Sequence, residues 1–395
     1  MTSSCIRSIE FDSGGNAYVS TISNEDGSPH LYKLNSAKEI LWTTNITDFV
    51  SKIIINSQND IYFQSPAGPL ETSISIFRED TLTIEKIDEI YGFAIFLDEA
   101  NNIIYTGNDG IKILRPKSTT PILIKNLEGY YIPDEFSFGI DSKGNVYLGL
   151  TDFTLYKFSF AVLTNESKQD DNPFATNYNL DANYFIDCLT LDQNDDVWVF
   201  TSNFFSTSQI LKFSNGVFSE ILIDDKYETH TSKAVRDRVY VISVTFNDVI
   251  APTYFLTLDG EVHNIQELNE VPADTYLTAQ IVADNDGNAY IGAYFASERG
   301  PLVLIRPNED NAVWISFPQI VNIDTMIVDG NDSLWIVTDG QGVYCVSKGE
   351  TAAVKVVASE EVDEDLYGDV NINKRTNELL VLGFSGLYVV SNEFV

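Results

Sequence analysis

A short phrase returns nine times along this chain of 395 residues. It reads apolar strand, Asp or Asn, four-residue turn, then a second strand carrying an aromatic or aliphatic anchor. The anchors are Tyr18, Tyr62, Ile104, Tyr147, Trp198, Tyr240, Tyr290, Trp335 and Leu379, separated by 44, 42, 43, 51, 42, 50, 45 and 44 residues. A period of that length, made only of strands and turns, is the signature of a β-propeller or a related array. One such unit is a small sheet that cannot bury both faces alone, and neighbours stacked around a ring supply the missing core.

The turns share one rule: Asp or Asn, then Asn, Asp or Ser four residues on, then the anchor two further. Asp12, Asn16 and Tyr18 obey it, as do Asp141, Asn145 and Tyr147, and Asp284, Asn288 and Tyr290. Units five and eight read Asp192, Asp196, Trp198 and Asp329, Ser333, Trp335. Asx side chains bond their own backbone two residues on, and glycines such as Gly15 and Gly144 tolerate left-handed geometry. Unit six, Val235 to Tyr240, lacks the turn but keeps its anchor in phase.

A third strand follows every hairpin, from HLYKLN at His30 to GLYVVSN at Gly386, with the alternation of a half-buried strand. A more polar fourth strand is visible in several units, such as EILWTT from Glu39 and AVWISF from Ala312, as suits an exposed blade edge. The last unit has three strands and then SNEFV, and only Met1 to Cys5 precede the first strand. The fold is therefore all-β, one propeller domain over residues 1–395, with about nine four-stranded blades and the last incomplete. Eight blades is the alternative, because propellers typically carry about four to eight.

Net charge is −34, from 58 acidic and 24 basic residues. Such a field repels phosphate backbones and anionic lipid, which argues against nucleic-acid or membrane partners and leaves room for cations or a basic protein. Of the three cysteines, Cys188 and Cys345 fall inside strands, where a thiol behaves as a small apolar group. No apolar run is long enough to cross a bilayer and no leader is legible at Met1. Sequons at Asn45, Asn165 and Asn331 tilt the reading toward a secreted glycoprotein that begins at a mature terminus.

The stretches FGIDSKGNVYLGL from Phe138 and MIVDGNDSLWIVTDGQGVY from Met326 resemble the repeats of regulator-type, NHL and gluconolactonase/regucalcin-like propellers. The resemblance implies the fold, and fold does not dictate function. Gluconolactonase-like members hold a divalent metal at the channel mouth through a Glu, two Asn and an Asp, but no early Gly-Glu-Gly segment stands here to supply that set. Insect ommochrome-binding proteins also look similar to this broad group, which implies a secreted pigment carrier.

Loops leading into the innermost strands ring one mouth of a propeller channel, where ligand sites concentrate. An aromatic recurs there: Phe49, Tyr91, Tyr131, Tyr184, Tyr227, Tyr276 and Tyr367. Such rings offer rigid stacking faces with hydroxyls, suited to a pigment or a sugar, or else they serve inter-blade packing. Charge recurs with them: Arg7, Lys52, Glu135, Asp187, Asp324 and Asp369, with Lys233 and His230 in the irregular sixth unit. Asp187, Asp324 and Asp369 are the candidate ligands of a divalent cation, the one cofactor these residues suggest. Asp284 to Asn288 resembles the start of a calcium loop, but Phe295 stands where the loop needs Glu. No GxSxG, HExxH or P-loop is present.

These features point to a non-enzymatic secreted binder holding a small, partly aromatic ligand at the aromatic-lined mouth, with Arg7 among its contacts. A metal-dependent lactonase and an acidic protein-interaction platform are the alternatives.

Overall fold

The computed structural model describes residues 4–390 except 24–26, 47–49, 67–70, 99, 108–109, 127–137, 151–153, 160–174, 181–183, 203–207, 225–227, 245–252, 266–276, 298–299, 308, 310–311, 320, 322, 339–340, 358–369, 374–375 and 384–385. Every strand pairs with its sequence neighbour, and all the pairings are antiparallel. The result is nine blades arranged as a propeller. Six form separate four-stranded sheets, and the last shows three strands among the described residues. The first strand starts at Ser4 and pairs with Ala17–Ser23, so it is already the innermost strand of blade one.

Blades two and three depart from the simple repeat. The 15-residue strand Thr83–Leu97 pairs along Thr83–Tyr91 with Glu71–Arg78 and, from Ile90 on, with Ile103–Gly107, a pairing whose register slips between Ile90 and Ile95. It is the outermost strand of one blade and the innermost of the next, which merges the two into a seven-stranded sheet.

Among the described residues the apolar side chains fall into nine clusters, one at each blade–blade interface. An open stack of nine blades has only eight interfaces, so the ninth cluster decides ring closure. It packs Leu380 and Val389 of blade nine against Ile9, Ala17, Val19 and Leu34 of blade one. Closure is therefore nine-bladed and made by side chains, because the strand Ser4–Phe11 pairs within blade one. Around that seam Asn371 Nδ2 donates to Ile9 O at 3.2 Å, and Lys38 Nζ lies 3.1 Å from Glu378 Oε1. The anchors sit inside these interfaces, with Tyr62, Trp198, Trp335 and Leu379 fully buried.

Candidate functional site

The repeated carboxylates are built into the hairpins. Asp12 Oδ1 accepts from Gly14 N and Asn16 N, both at 2.9 Å, while Oδ2 accepts from Asn16 Nδ2 at 2.7 Å. The anchor completes the set: Trp198 Nε1 reaches Asp192 at 2.9 Å, and Tyr147 OH reaches Asp141 at 3.3 Å. The spacing of four and then six residues is thus the spacing that satisfies one carboxylate from its own turn and its own anchor. Such buried, fully bonded groups are structural. The calcium-like turn follows the same plan: Asp284 accepts from Asn288, and Asp286 Oδ2 sits 2.7 Å from Lys348 Nζ.

Lysines on the third strands lie over anchors directly across the ladder. Lys33, Lys157 and Lys212 place Nζ about 5 Å from the rings of Tyr18, Tyr147 and Trp198. At the anchor of blade one, Glu79 of blade two joins this arrangement, accepting from Tyr18 OH at 2.8 Å, Lys33 Nζ at 2.6 Å and Trp42 Nε1 at 3.2 Å. Burial pulls the Glu79 carboxyl upward, but these bonds together hold it below the usual range.

The turns also latch blade to blade, which sequence reasoning missed. Ser142 N and Oγ donate to Asp195 of the next blade at 2.8 and 2.6 Å, and Ser57 does the same to Asn101 at 2.9 and 2.7 Å. Ser13 N meets Asn59, and Gly330 N meets Asn377, each at 2.9 Å. The accepting residues Asn59, Asn101, Asp195 and Asn377 have φ of 64°, 66°, 64° and 56°. Asn and Asp tolerate that conformation and carry the acceptor that glycine lacks.

The innermost strands hold the residues that break the repeat. Register slips between Ile6 and Ser8, Ile186 and Cys188, Thr229 and Thr231, and Ile323 and Thr325 leave Arg7, Asp187, His230 and Asp324 as the bulged residues. Counted back from the residue paired with each anchor, all four occupy one equivalent position of the blade. Bulges re-aim side chains and cluster near functional sites. Arg7 is exposed and Asp187 is half-buried, with Ser202 Oγ donating to Asp187 Oδ1 at 2.8 Å. The Asp324 carbonyl accepts from Gln280 Nε2 of the preceding blade at 2.6 Å. Neighbouring innermost strands are tied likewise elsewhere, through Ile53 N to Ser8 Oγ at 3.0 Å and Ala234 N to Thr190 Oγ1 at 3.1 Å.

The other charged candidates are dispersed. Lys52 is half-buried opposite Gln64, and Lys233 is exposed opposite Tyr240. Among the described residues no three His, Cys, Asp or Glu side chains gather as a metal site, and Asp187 and Asp324 belong to blades five and eight. Tyr184 is half-buried and precedes the innermost strand of blade five. Tyr91 lies inside the long strand, opposite Glu71, rather than in a loop; the reason is the merging of blades two and three. Phe49, Tyr131, Glu135, Tyr227, Tyr276, Tyr367 and Asp369 lie outside the described residues. Cys188 and Cys345 are buried free thiols, each pushed up to about 12 by burial.

No protein-family profile matches the sequence, and no curated protein is detectably similar to it. Among solved structures the chain is similar to a catalytically inactive virginiamycin B lyase from Staphylococcus aureus, crystallised with quinupristin. The two share 12% identity over 74% of this chain and 92% of the other, at a TM-score of 0.41. BamB from Moraxella catarrhalis shows 12% identity over 73% and 82% of the chains, at 0.44. PorZ from Porphyromonas gingivalis shows 11% over 97% and 61%, at 0.42. The likeness is one of propeller fold, and it brings no residue, ligand or activity to this chain.

Proposed function

We propose that the protein is a secreted, non-enzymatic binding propeller that holds a small, partly aromatic ligand over the channel mouth where the loops lead into the innermost strands. The observation behind this reading is the bulged position. Turn residues repeat from blade to blade because they build the fold, whereas the equivalent bulge position carries Arg7, Asp187, His230 and Asp324. Unlike residues at one level of four of the nine blades suit an asymmetric ligand better than they suit packing. Tyr184, three residues before Asp187, supplies an aromatic face beside that level.

Extracellular location is supported by Asn45 and Asn331, sequon residues that are both exposed. Glycosidase treatment of the native protein should lower its mass, and an unchanged mass removes that support. For the ligand, native protein is purified and its bound small molecule identified by absorbance and mass spectrometry. Tyr184→Ala and Asp187→Asn should each weaken rebinding of that molecule about tenfold. Undiminished affinity in both variants overturns the assignment of the site.

A further inference from the structure

Asn215 and Gly216 are the only Asn-Gly pair in the 395 residues. They form the two-residue turn between the third and fourth strands of blade five, Ser208–Ser214 and Val217–Asp224. Their φ values of 51° and 86° are both left-handed, as the tightest hairpin turn requires and as Asn-Gly supplies. Both residues are exposed, and Val217 beyond them is 67% exposed. The ladder below the turn slips register between Ile210 and Leu211. The end of a hairpin with so little burial opens locally, at a fraction of the cost of global unfolding.

What sets Asn215 apart is its side chain. Serine follows Asn35 and Asn56, but both of those carboxamides are held by their own turns. Asn35 Oδ1 accepts from Glu39 N at 2.9 Å, and its Nδ2 donates to Glu39 Oε2 at 2.8 Å. Asn56 Oδ1 accepts from Gln58 N and Asp60 N at 3.0 and 2.8 Å. Among the described residues Asn215 Nδ2 meets only the Ser214 hydroxyl, at 3.2 Å and in the open. Its carbonyl carbon is accessible, and the nitrogen that follows belongs to the residue with no Cβ to hinder it.

We infer that Asn215 is a site of covalent self-modification, losing its amide to become aspartate and isoaspartate, and that the change loosens the seam between blades four and five. Gly216 N attacks Asn215 Cγ. The new bond closes a cyclic imide, the Cγ–Nδ2 bond breaks, and Nδ2 leaves as ammonia with the proton of Gly216 N. Water then opens the imide at either carbonyl. One opening restores the ordinary main chain beside a new carboxylate, and the other sends the main chain through the side-chain carbon as isoaspartate. Water enters, ammonia leaves, and nothing is oxidised or reduced. Isoaspartate adds a methylene to a turn with no residue to spare, so the pairs Ser214–Val217 and Phe213–Phe218 beneath it shift. Phe213 carries that shift into the interface, where its ring centroid lies 4.4 Å from that of Tyr178 and 6.4 Å from that of Tyr147, both in blade four.

The test incubates the folded full chain in mildly alkaline heavy-oxygen water, digests it afterwards with trypsin in ordinary water, and follows the peptides by mass spectrometry. The peptide Phe213–Lys226 should take up the label with time, ahead of the peptides holding Asn35 and Asn56, and isoaspartyl methyltransferase should methylate it. The melting temperature should fall as the label enters. Asn215→Gly keeps the left-handed turn and removes the carboxamide, so its melting temperature should hold steady through the same incubation. If that variant fails to fold, labelling and melting of the unchanged protein decide alone. No label in that peptide until denaturant is added, earlier labelling at Asn35 or Asn56, a labelled protein that melts as before, or an equal fall in the folded variant overturns the inference.

Discussion

Trp198 Nε1 donates to Asp192 Oδ2 at 2.9 Å from six residues downstream, and Trp335 repeats the bond to Asp329 at 3.0 Å. The pair joins the hairpin to the inter-blade core, because the same indole that fills the interface also closes the turn. Asp192 additionally accepts from the backbone N–H groups of Asn194 and Asp196 at 2.8 and 3.1 Å.

Replacing Asp192 by Ala therefore strands the buried indole N–H of Trp198 and removes the acceptor of two part-buried backbone N–H groups. The expected loss is about 3 kcal/mol, read as a lower urea midpoint at unchanged m-value. In the Trp198→Phe background the same substitution should cost at least about 1 kcal/mol less. Equal costs in both backgrounds would show that the indole bond carries nothing.

The left-handed residues separate into two kinds. Leu82 has a φ of 53° on an exposed turn, so Leu82→Gly should stabilise by about 1 kcal/mol. Asp195 has a φ of 64° but also accepts two bonds from Ser142. Asp195→Gly should destabilise by about 1 kcal/mol despite relieving the same strain. Thermal melts of the two variants check the opposite signs.

Alkaline pH should unfold the protein through its anchors. Burial, helped by Asp60, pushes the Tyr62 phenol up to about 12, and burial also pushes Tyr240 up to about 12, against the pull of Arg238. Tyr18, Tyr147 and Tyr290 are raised too, first by burial and then by nearby carboxylates. A folded pKa above the ordinary value of about 10 favours the neutral phenol. Its contribution is complete below that pH and is lost as pH climbs from about 10 through 12. Tyrosinate absorbance from the anchors should thus appear together with loss of circular dichroism, and titration of all tyrosines in a folded protein contradicts this.

At the acid end Glu79 acts with the opposite sign. Its lowered carboxyl gives stability that is present above the ordinary carboxylate range and is lost as pH falls through the folded value. Glu79→Gln should flatten the acid limb of the stability curve. An acid limb identical to that of the unchanged protein refutes the assignment.

The fold was legible because its determinants are local. Asp12, Asn16 and Tyr18 lie within seven consecutive residues, so one hairpin displays the full rule. The latches were not, because each joins residues a whole repeat apart, as Ser142 and Asp195 are separated by 53 positions. A trace existed: three residues after the turn Asp or Asn, Asn59, Asn101 and Asp195 stand where Gly15, Gly144 and Gly287 stand in other blades. The bulges leave no mark of their own, yet the charges at Arg7, Asp187 and Asp324 in otherwise apolar strands pointed to the positions they occupy. Nine blades were legible from nine repeats, but ring closure needed the contact between Leu380 and blade one, which no periodicity supplies.

That contact also orders the folding reaction. Each of the other seams joins stretches one repeat apart and can form as soon as both have been synthesised, whereas Asn371 meets Ile9 across 362 positions. Long-range contacts form slowly, so the disc should assemble as a growing arc whose free ends meet last.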